Sequence, residues 1–455
     1  MQSYKYDVVI VGAGIAGASA AWFLSKSGLK ICIIDWRSWK QLGDKPCADA
    51  ISKHHIDHLG VPEPRGEEVE GLIRGAIIFS PKEDAYLEIP GEGYEINTPL
   101  YVKKLLKQAL ESGSVEFFEQ TKALAPILKD GYVKGVVARK DRNKIELFSD
   151  VIIDASGMAR VIVRNLPNQW PIAEPIANED LNITYREERI SSSKIENPEW
   201  IRIYLNNTIA PGGYWWLFPK SKIRVINVGL GVQGGRNYPN PKHLFYKHIA
   251  SRDEIKNGKI VKAGGAPVPT RRPIASLVWN GIAVIGDAAY TANPVHGGGK
   301  GPAMKSAKCV TEAILKASER GYYSAEDLWS ANKCYIDVYG AKQAALDIFR
   351  LFLQSLTDDD LEYVVKKGIV KSSDILEASL TGKLSLSFVN KVIRFALALG
   401  RPSLLLRLKF VKEFMDRIRR HYVNYPKNVN ELNKWLNELK SIYSEFKFKI
   451  HNTAK

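Results

Sequence analysis

The sequence predicts an α/β protein: a domain with a parallel sheet, an antiparallel sheet inserted into that domain, and a helical C-terminal region. Three observations lead to this prediction. A strand–helix–strand pattern opens the chain at residues 6–36, strand-like segments separated by Pro, Gly and Asn fill residues 180–280, and helical periodicity runs from residue 325 onward. We therefore expect three domains with the following boundaries: residues 1–175 together with 280–325, residues 176–279, and residues 326–455.

The first strand, residues 6–11, leads into the turn GAGIAG and then into a helix. The turn fits the pattern G-x-G-x-x-G, whose glycines let a pyrophosphate lie against the helix N-terminus, where free N–H groups stabilise negative charge. A second strand ends at Asp35, about 20 residues after the motif, where a carboxylate accepts hydrogen bonds from ribose hydroxyls. This combination predicts a Rossmann-like dinucleotide-binding domain. From the turn we expect cofactor contacts by Gly12, Gly14, Ala16 and Gly17.

The elements after this first unit are again helices and strands. Residues 99–112 have helical periodicity, and residues 115–140 alternate apolar and polar side chains around the turn KDG, which predicts a hairpin or a three-stranded meander. Residues 151–157 and 282–287 are short apolar segments that end near glycine, as buried strands of a parallel sheet do. They place both ends of the inserted sheet beside the same nucleotide-binding sheet.

A second glycine-rich segment is NGIAVIGDAAYTANPVHGGGKGPAMKSA, residues 280–307, in which Asp287 ends a strand and three glycines precede a helix. It resembles the "GD" segment of the FAD flavoproteins in the p-hydroxybenzoate hydroxylase group. VIIDASGMAR at residues 151–160 resembles that group's intermediate dinucleotide-contact segment. The resemblance implies FAD as the cofactor, with Asp287 at its ribityl chain or pyrophosphate and the glycine-rich helix start facing the flavin ring and pyrophosphate.

Within that group the chain resembles the geranylgeranyl reductase family, in particular the archaeal enzymes that saturate isoprenoid lipid chains. PGGYWWLFP at residues 211–219 matches the family pattern P-x-x-Y-x-W-x-F-P, and GDKPCADAIS at residues 43–52 resembles its Lys-x-Cys-Gly segment beside the flavin. NPVHGGGKG in the second glycine-rich segment is a third match. Two residues depart from the pattern: Ala48 stands where the family usually has glycine, and Lys300 follows the glycines where related flavoproteins more often carry an apolar residue.

The resemblance implies an FAD-dependent reductase that saturates C=C double bonds of geranylgeranyl chains in archaeal membrane phospholipid precursors. Reduced flavin N5 supplies a hydride to one carbon, and a proton reaches the other carbon. Two other functions stay open at this point. One is a flavin monooxygenase that hydroxylates or epoxidises an apolar substrate, and the other is a non-catalytic flavoprotein that transfers electrons or binds a prenyl lipid.

The resemblance also implies the residues of the site. Cys47 is placed beside the flavin, as a proton donor or as a passive residue that positions the backbone, and His296 in the flavin loop is the second candidate donor. Tyr214, Trp216 and Phe218 lie on one predicted strand, where they line a substrate channel or belong to the core. Further cofactor contacts are expected from Pro46, Cys47, Ala48, Lys103, Ala123, Asp287, Gly298, Gly299 and Lys300.

The charge of the chain favours an anionic partner. With 65 Lys and Arg against 49 Asp and Glu, the net charge is +16, which suits an acidic membrane surface or a phosphorylated substrate as well as a solvated surface. No nucleic-acid-binding motif accompanies it, so we expect no nucleic acid. We find neither a signal peptide nor an apolar stretch of about 20 residues. The expected location is the cytoplasm, with peripheral contact at the inner face of the cell membrane.

The remaining candidates are less specific. No second nucleotide fingerprint is present, so the reductant is open between NAD(P)H and a ferredoxin. The four cysteines form no CxxC pair and we expect no metal, but Cys309 and Cys334 lie in successive helical segments and are a candidate disulfide. His54, His55 and His58 lack a nearby third ligand and are expected on a helix surface. The arginines of TRRP, residues 270–273, are expected either at a phosphate or in solvent.

Overall fold

A computed structural model of the chain describes residues 2–191, 194–368, 371–383 and 402–453. Within these ranges the chain forms two sheets and a group of C-terminal helices, and the predicted α/β fold class is confirmed. The domain boundaries stay a prediction. The predicted helical domain, residues 326–455, lies partly outside the described residues.

The first sheet is mixed, and its central strands are parallel. Its strands are β1 (Gln2–Val11), β2 (Ile31–Ile34), β6 (Val115–Phe118), β7 (Thr121–Lys129), β8 (Tyr132–Lys140), β9 (Asn143–Asp154), β16 (Val278–Trp279) and β17 (Ile282–Val284). In the described chain they follow the order β16–β17–β9–β1–β2–β6, while β8 pairs with β9 and β7 pairs with β8. Strands β7 and β8 form a hairpin around the turn KDG, the first of the two predicted forms, and β9, beyond the predicted range of residues 115–140, adds a third antiparallel strand.

Strand β1 lies at the centre of this sheet between two parallel neighbours. Residues 8–11 pair with residues 31–34 of β2 on one side and with residues 151–154 of β9 on the other. These strands are continuous apolar runs because helices bury both faces of a parallel sheet. Helix α1 (Ile15–Leu24) packs against α3 (Thr98–Leu110) and α5 (Lys300–Ser318). Both predicted glycine-rich segments therefore end beside the central strands of one sheet.

The second sheet is mainly antiparallel and is larger than the predicted insert. Its strands are β3 (Ala50–Ser52), β4 (Val69–Phe79), β5 (Tyr86–Ile96), β10 (Leu181–Ile190), β11 (Trp200–Tyr204), β12 (Tyr214–Lys220), β13 (Val225–Gln233), β14 (Lys259–Gly264) and β15 (Pro267–Pro269). Within the described chain they follow the order β14–β10–β13–β12–β11–β4–β5–β3, and β15 pairs with β10. Two short helices belong to the same region, α2 (Lys53–Leu59) and α4 (Pro241–His248).

One detail of the predicted division differs from this sheet. Strands β3, β4 and β5 fall in the range 1–175 assigned to the nucleotide-binding domain, yet they pair within the second sheet. Strand β4 pairs with β11 in parallel, so the sheet is not purely antiparallel. The difference arises because the two strands are more than 100 positions apart, and local patterning carries no information about which distant strand a segment joins.

The C-terminal part is helical, as predicted. Its described helices are α6 (Ala325–Leu328), α7 (Ser330–Tyr335), α8 (Ala341–Leu353), α9 (Asp358–Lys366), α10 (Ser372–Thr381), α11 (Pro402–Val423) and α12 (Leu432–Thr453), with a π-helical turn at Ile336–Gly340 between α7 and α8. Helix α11 packs on α8 and α12 and buries Phe414, Met415 and Ile418.

Cys309 of α5 and Cys334 of α7 form a disulfide with their Cα atoms 5.5 Å apart, which confirms the candidate pairing. Cys32 and Cys47 are free, and Cys32 is buried. None of the described helices combines the length and the apolar character that crossing a bilayer requires.

Candidate functional site

The first glycine-rich turn has one open position between two crowded ones. Gly12 has φ +101°, and a Cβ there would lie 2.6 Å from the carbonyl oxygen of Ala155. A Cβ on Gly17 would lie 1.8 Å from the carbonyl oxygen of Gly12, whereas one on Gly14 would meet nothing within 4 Å. Helix α1 begins directly after Gly14 without a side-chain cap, so its first N–H groups are open to a ligand. The turn therefore fits the pyrophosphate of FAD.

Asp35 follows β2 and is held against this turn. One carboxylate oxygen accepts the backbone N–H of Ala13 at 2.8 Å, and the other accepts that of Arg37 at 2.8 Å. Its predicted role as ribose acceptor stays a prediction, and each oxygen keeps one further lone pair for it. Lys103 of α3 donates to the carbonyl oxygen of Lys40 at 3.0 Å, and Ala123 is buried in β7.

The second glycine-rich segment brings Asp287 to the start of α5. Asp287 lies in a 3-10 turn that directly follows β17, and a Cβ on Gly299 would lie 3.2 Å from one of its carboxylate oxygens. Lys45 Nζ approaches the other oxygen at 3.2 Å, and this carboxylate raises the pKa of Lys45. A Cβ on Gly298 would contact the ring of His296 at 2.7 Å. The helix start is thus lined by backbone, as a cofactor approaching it requires.

Cys47 lies between the second glycine-rich segment and the second sheet. Lys300 Nζ donates to Cys47 Sγ at 3.0 Å. On the opposite side the Asn227 amide donates to the Cys47 carbonyl oxygen at 2.7 Å, and the indole N–H of Trp216 donates to the Asn227 side-chain oxygen at 3.1 Å. The neighbouring Pro46 and Ala48 are half-buried, and a Cβ on Gly264 of β14 would lie 2.8 Å from the Pro46 ring.

The predicted aromatic strand is β12, and its side chains alternate as expected. Tyr214 and Trp216 are on one face with ring centroids 6.1 Å apart, and Phe218 continues that face at 6.3 Å from Trp216. Trp215 points the other way and stacks on Tyr204 at 3.6 Å in the core of the second sheet. The Tyr214 hydroxyl donates to the His296 carbonyl oxygen at 2.7 Å, which joins this face to the flavin loop.

The His296 side chain is exposed to solvent, and its Nδ1 accepts the backbone N–H of Gly298 at 3.1 Å. A nitrogen that accepts a hydrogen bond carries no proton to donate, whereas Cys47 Sγ has an ammonium group beside it. Between the two predicted proton donors, this geometry favours Cys47 over His296.

A buried cluster of charged residues lies beside the loop that carries Cys47, and the sequence did not predict it. Lys220 is only 3% exposed and pairs with Glu70 at 2.6 Å and with Asp49 and Glu188 at 3.3 Å each. Burial by itself raises the pKa of Asp49, but Lys300 and Lys220 lower it below its usual value. The sequence does contain a signal for this cluster. Four consecutive charged residues, REER at residues 186–189, follow the apolar start of a predicted strand, and charges that are buried in a sheet need charged partners.

Glu95 of β5 belongs to the same region and is fully buried. Neither carboxyl oxygen has a hydrogen-bond partner among the described residues. Burial, together with the charge of Asp49, raises the pKa of Glu95 well above its usual value. The Glu95 carboxyl group is also within the electrostatic reach of Lys220, Lys300 and Cys47.

The arginines of TRRP face a carboxylate. Arg271 and Arg272 each lie 2.6 Å from the same carboxylate oxygen of Glu174, and Arg271 also stacks over the Tyr290 ring. These two charges neutralise a buried carboxylate and lower the pKa of Glu174 to about 2 against the effect of burial, which raises it. Arg271 is buried and Arg272 is half-buried, so the predicted solvent location is wrong for Arg271, and the predicted phosphate contact stays a prediction.

Comparison with known proteins agrees with this arrangement. A family described as FAD dependent oxidoreductase matches residues 7–165, and one described as geranylgeranyl reductase catalytic domain matches residues 180–268. A digeranylgeranylglycerophospholipid reductase of Sulfolobus acidocaldarius is 47% identical over 450 residues, which cover 98% of this chain and 99% of that protein. A protein of the same name from Methanothrix thermoacetophila is 29% identical, covering 84% of this chain and 95% of its own length.

Solved structures share the fold. A geranylgeranyl bacteriochlorophyll reductase-like protein from Thermoplasma acidophilum superposes with a TM-score of 0.76 at 22% identity, over 90% of this chain and 100% of that one. The myxobacterial chondrochloren halogenase CndH superposes with a TM-score of 0.65 at 16% identity, over 92% and 97%. The same architecture thus serves different flavin chemistries, and the fold alone does not choose between them.

Sequence identity distinguishes between these flavin chemistries where the fold does not. At 47% identity over nearly the whole of both chains, this protein and the Sulfolobus reductase share one family. The predictions of FAD as cofactor and of an FAD-dependent oxidoreductase are confirmed. The chain belongs to the geranylgeranyl reductase family.

Proposed function

We propose that this protein saturates the C=C double bonds of geranylgeranyl chains in an archaeal-type glycerophospholipid precursor. The names of its relatives in Sulfolobus and Methanothrix support the substrate, since both are digeranylgeranylglycerophospholipid reductases. The single observation that carries the chemistry is the contact of Lys300 Nζ with Cys47 Sγ at 3.0 Å. It supports Cys47 as the proton donor, because an ammonium group at this distance stabilises the negative charge left on the sulfur when the proton leaves.

The reaction needs a hydride for one alkene carbon and a proton for the other. FAD in its reduced form supplies the hydride when bound. Cys47 Sγ holds the proton and transfers it to the second carbon, so that a new C–H bond forms as the S–H bond breaks. The Lys300 ammonium then faces a thiolate at hydrogen-bond distance and stabilises it until a proton from solvent restores the thiol.

The residues of β12 and β13 position the substrate and the acid together. The face of Tyr214, Trp216 and Phe218 is apolar enough to hold a prenyl chain and to keep water from the double bond. Asn227 connects Trp216 to the Cys47 carbonyl oxygen, so the aromatic face and the cysteine loop keep a fixed spacing. His296 contributes through its carbonyl oxygen, which orients the Tyr214 hydroxyl.

The decisive experiment is anaerobic incubation of the FAD-loaded, dithionite-reduced protein with a digeranylgeranylated glycerophospholipid, followed by mass analysis. Reduction adds two hydrogens for each double bond. A parallel incubation in air tests the flavin monooxygenase, which would add one oxygen atom there, whereas a non-catalytic lipid carrier would leave the lipid mass unchanged in both incubations. A Cys47→Ala variant with full FAD content should bind the same lipid and reduce it poorly.

The electron donor and the cellular location belong to the same proposal. NAD(P)H and ferredoxin are tested by replacing dithionite with each in turn and following bleaching of the bound flavin. Peripheral association is supported by the net charge of +16, which favours an anionic membrane that contains the substrate. Sedimentation with anionic vesicles at low and high salt tests it, and the association should weaken as salt rises.

A further inference from the structure

Two lysines meet at one aromatic ring beneath the flavin loop. Lys305 of α5 and Lys342 of α8 place their ammonium groups 5.6 Å and 5.4 Å from the centroid of the Tyr339 ring. Lys305 is only 8% exposed and Lys342 is half-buried. An aromatic face attracts a cation weakly, so the ring alone does not offset the cost of removing two ammonium groups from water.

The described residues give these lysines no negative partner. Neither ammonium group has a carboxylate within ion-pair distance among them, although the buried Lys220 nearby has three. Burial lowers the pKa of Lys305, and burial together with repulsion from Lys305 lowers the pKa of Lys342 to about 8. Two buried cations that repel each other without a counter-charge are a destabilising arrangement unless a ligand supplies the anion.

Two histidines of α2 add hydrogen-bonding groups to the same place. The His55 ring packs against Gly301 at the start of α5, and its Nδ1 is buried with no hydrogen-bond partner in the described chain. His54 bonds to Ser52 at 2.8 Å, and its ring lies 3.9 Å from that of His55. Burial lowers the pKa of His55 to about 2, so this imidazole is neutral and offers one N–H donor without a charge.

This cluster lies on a different face of α5 from the cofactor turn. Ser306 accepts the Gly286 backbone N–H at 3.1 Å, and a Cβ on Gly286 would lie 3.6 Å from the Ala303 side chain. Those residues mark the side of α5 that faces the cofactor turn. Gly301 and Lys305, four positions apart, share another side, which α2 covers. The pyrophosphate of FAD at Gly14 and Asp287 is therefore not the missing anion.

We propose that Lys305 and Lys342, with the His55 imidazole, form a binding site for the phosphate group of a phosphate ester. The lipid headgroup is one source of that group and a phosphorylated nicotinamide nucleotide is another. The charge of Lys342 reaches His296, whose carbonyl oxygen holds Tyr214, so the site lies at one end of the aromatic face. The lipid source rests on the proposed function, whereas the phosphate chemistry does not.

The test is a calorimetric titration of the FAD-loaded protein with dihexanoyl phosphatidylglycerol and with uncharged dihexanoylglycerol. The wild type should prefer the phospholipid, and the double variant Lys305→Met, Lys342→Met should lose that preference by on the order of tenfold for each lysine. The matched control is the double variant Lys308→Met, Lys316→Met. It removes two charges of the same helix that are more exposed than Lys305, and it should keep the preference for the phospholipid. FAD content and the thermal midpoint confirm that each variant is folded.

A second arm distinguishes the sources with NADPH and NADH as probes, which differ by one phosphate. A preference for NADPH that disappears in the Lys305/Lys342 variant, with no preference for the phospholipid, assigns the site to a nucleotide. The proposal is overturned if the wild type prefers neither phosphorylated probe, or if the double variant keeps the preference of the wild type. A site of this kind also predicts that saturating phospholipid protects Lys342 from acetylation at pH 8.

Failure of the proposed function gives a different result. Alkene reduction is measured by lipid mass, and phosphate binding is measured by calorimetry on the same FAD-loaded protein. Binding without reduction leaves the phosphate site standing and removes the reductase assignment. Reduction without a preference for either phosphorylated probe does the reverse.

Discussion

Lys300 and Cys47 are 253 positions apart in the sequence, yet Lys300 Nζ donates a hydrogen bond to Cys47 Sγ at 3.0 Å. Lys300 is the first residue of α5, so its ammonium group lies where the glycine-rich loop delivers the chain into a helix. Of the two residues that depart from the family pattern, this one acquires a defined partner. The contact sets an ammonium group against the thiol.

Removing the Lys300 charge should slow alkylation of Cys47. The thiolate is the attacking species, and a unit charge a few ångströms away stabilises it by roughly 1 kcal/mol or more. We therefore expect Lys300→Met to lower the iodoacetamide rate at pH 7 by about fivefold or more. The assay is specific because Cys32 is buried and the other two cysteines form a disulfide. Lys308→Met on the same helix is the control, and an equal rate in Lys300→Met contradicts the contact.

Replacing Cys47 should separate proton transfer from binding. Cys47→Ala removes the S–H group, and a positioned general acid contributes about 10²–10⁴-fold to a rate. Turnover with the geranylgeranylated lipid should fall within that range, while FAD content and lipid affinity stay close to wild type. His296→Gln keeps the backbone carbonyl that Tyr214 uses, so it should retain most of the turnover. Equal losses in the two variants would reverse the assignment of the acid.

Glu95→Gln should stabilise the protein at alkaline pH. The folded-state pKa of Glu95 is raised, so folding is most favourable below pH 4.5, where both states are protonated, and loses free energy as pH rises toward the folded value. Each tenfold change in proton affinity is worth about 1.4 kcal/mol. The thermal midpoint of the variant should therefore exceed that of wild type more at pH 9 than at pH 5. Glu88→Gln, exposed on the same strand, should show no such difference.

Alanine at Gly14 and at Gly12 should have different consequences. Gly14 has φ −74°, which any residue adopts, and a Cβ there meets no protein atom within 4 Å. We expect Gly14→Ala to fold as stably as wild type without cofactor but to bind FAD at least tenfold more weakly, because the methyl group enters the space of the pyrophosphate. Gly12→Ala should lower the thermal midpoint of the apoprotein as well, since its Cβ collides with Ala155. Unchanged FAD affinity in Gly14→Ala would place the cofactor elsewhere.

The parts of this molecule that were predictable are the local ones. The turn at Gly12 and the alternation of Tyr214 and Trp216 each depend on neighbours within a few positions, which the sequence displays directly. The strand predicted to end at Asp287 ends at Val284 instead, and Asp287 lies in the 3-10 turn that follows. The family resemblance added the order of the segments and the cofactor. These features agree because local patterning and fold point the same way.

The parts that were missed depend on contacts across the fold. Three contacts join residues that are far apart in the sequence. They are the parallel pairing of β4 with β11, the ion pairs of Arg271 and Arg272 with Glu174, and the hydrogen bond from Lys300 to Cys47. Periodicity assigns a segment to a strand or helix but does not choose its partner. The charge of Lys300 was visible in the sequence, and only its distance to the thiol required the structure.

The loop that carries Cys47 is also the stretch of chain that crosses from β2 of the first sheet to β3 of the second. Its ends are fixed to different sheets, and Asn227 of β13 holds its middle at the Cys47 carbonyl oxygen. Cys47 is thus tied to the second sheet, whereas Lys300 begins a helix that packs against α1 beside the first sheet. The separation between sulfur and ammonium therefore reports how the two sheets are seated against each other, and a substitution that shifts one sheet against the other would change it without touching either residue.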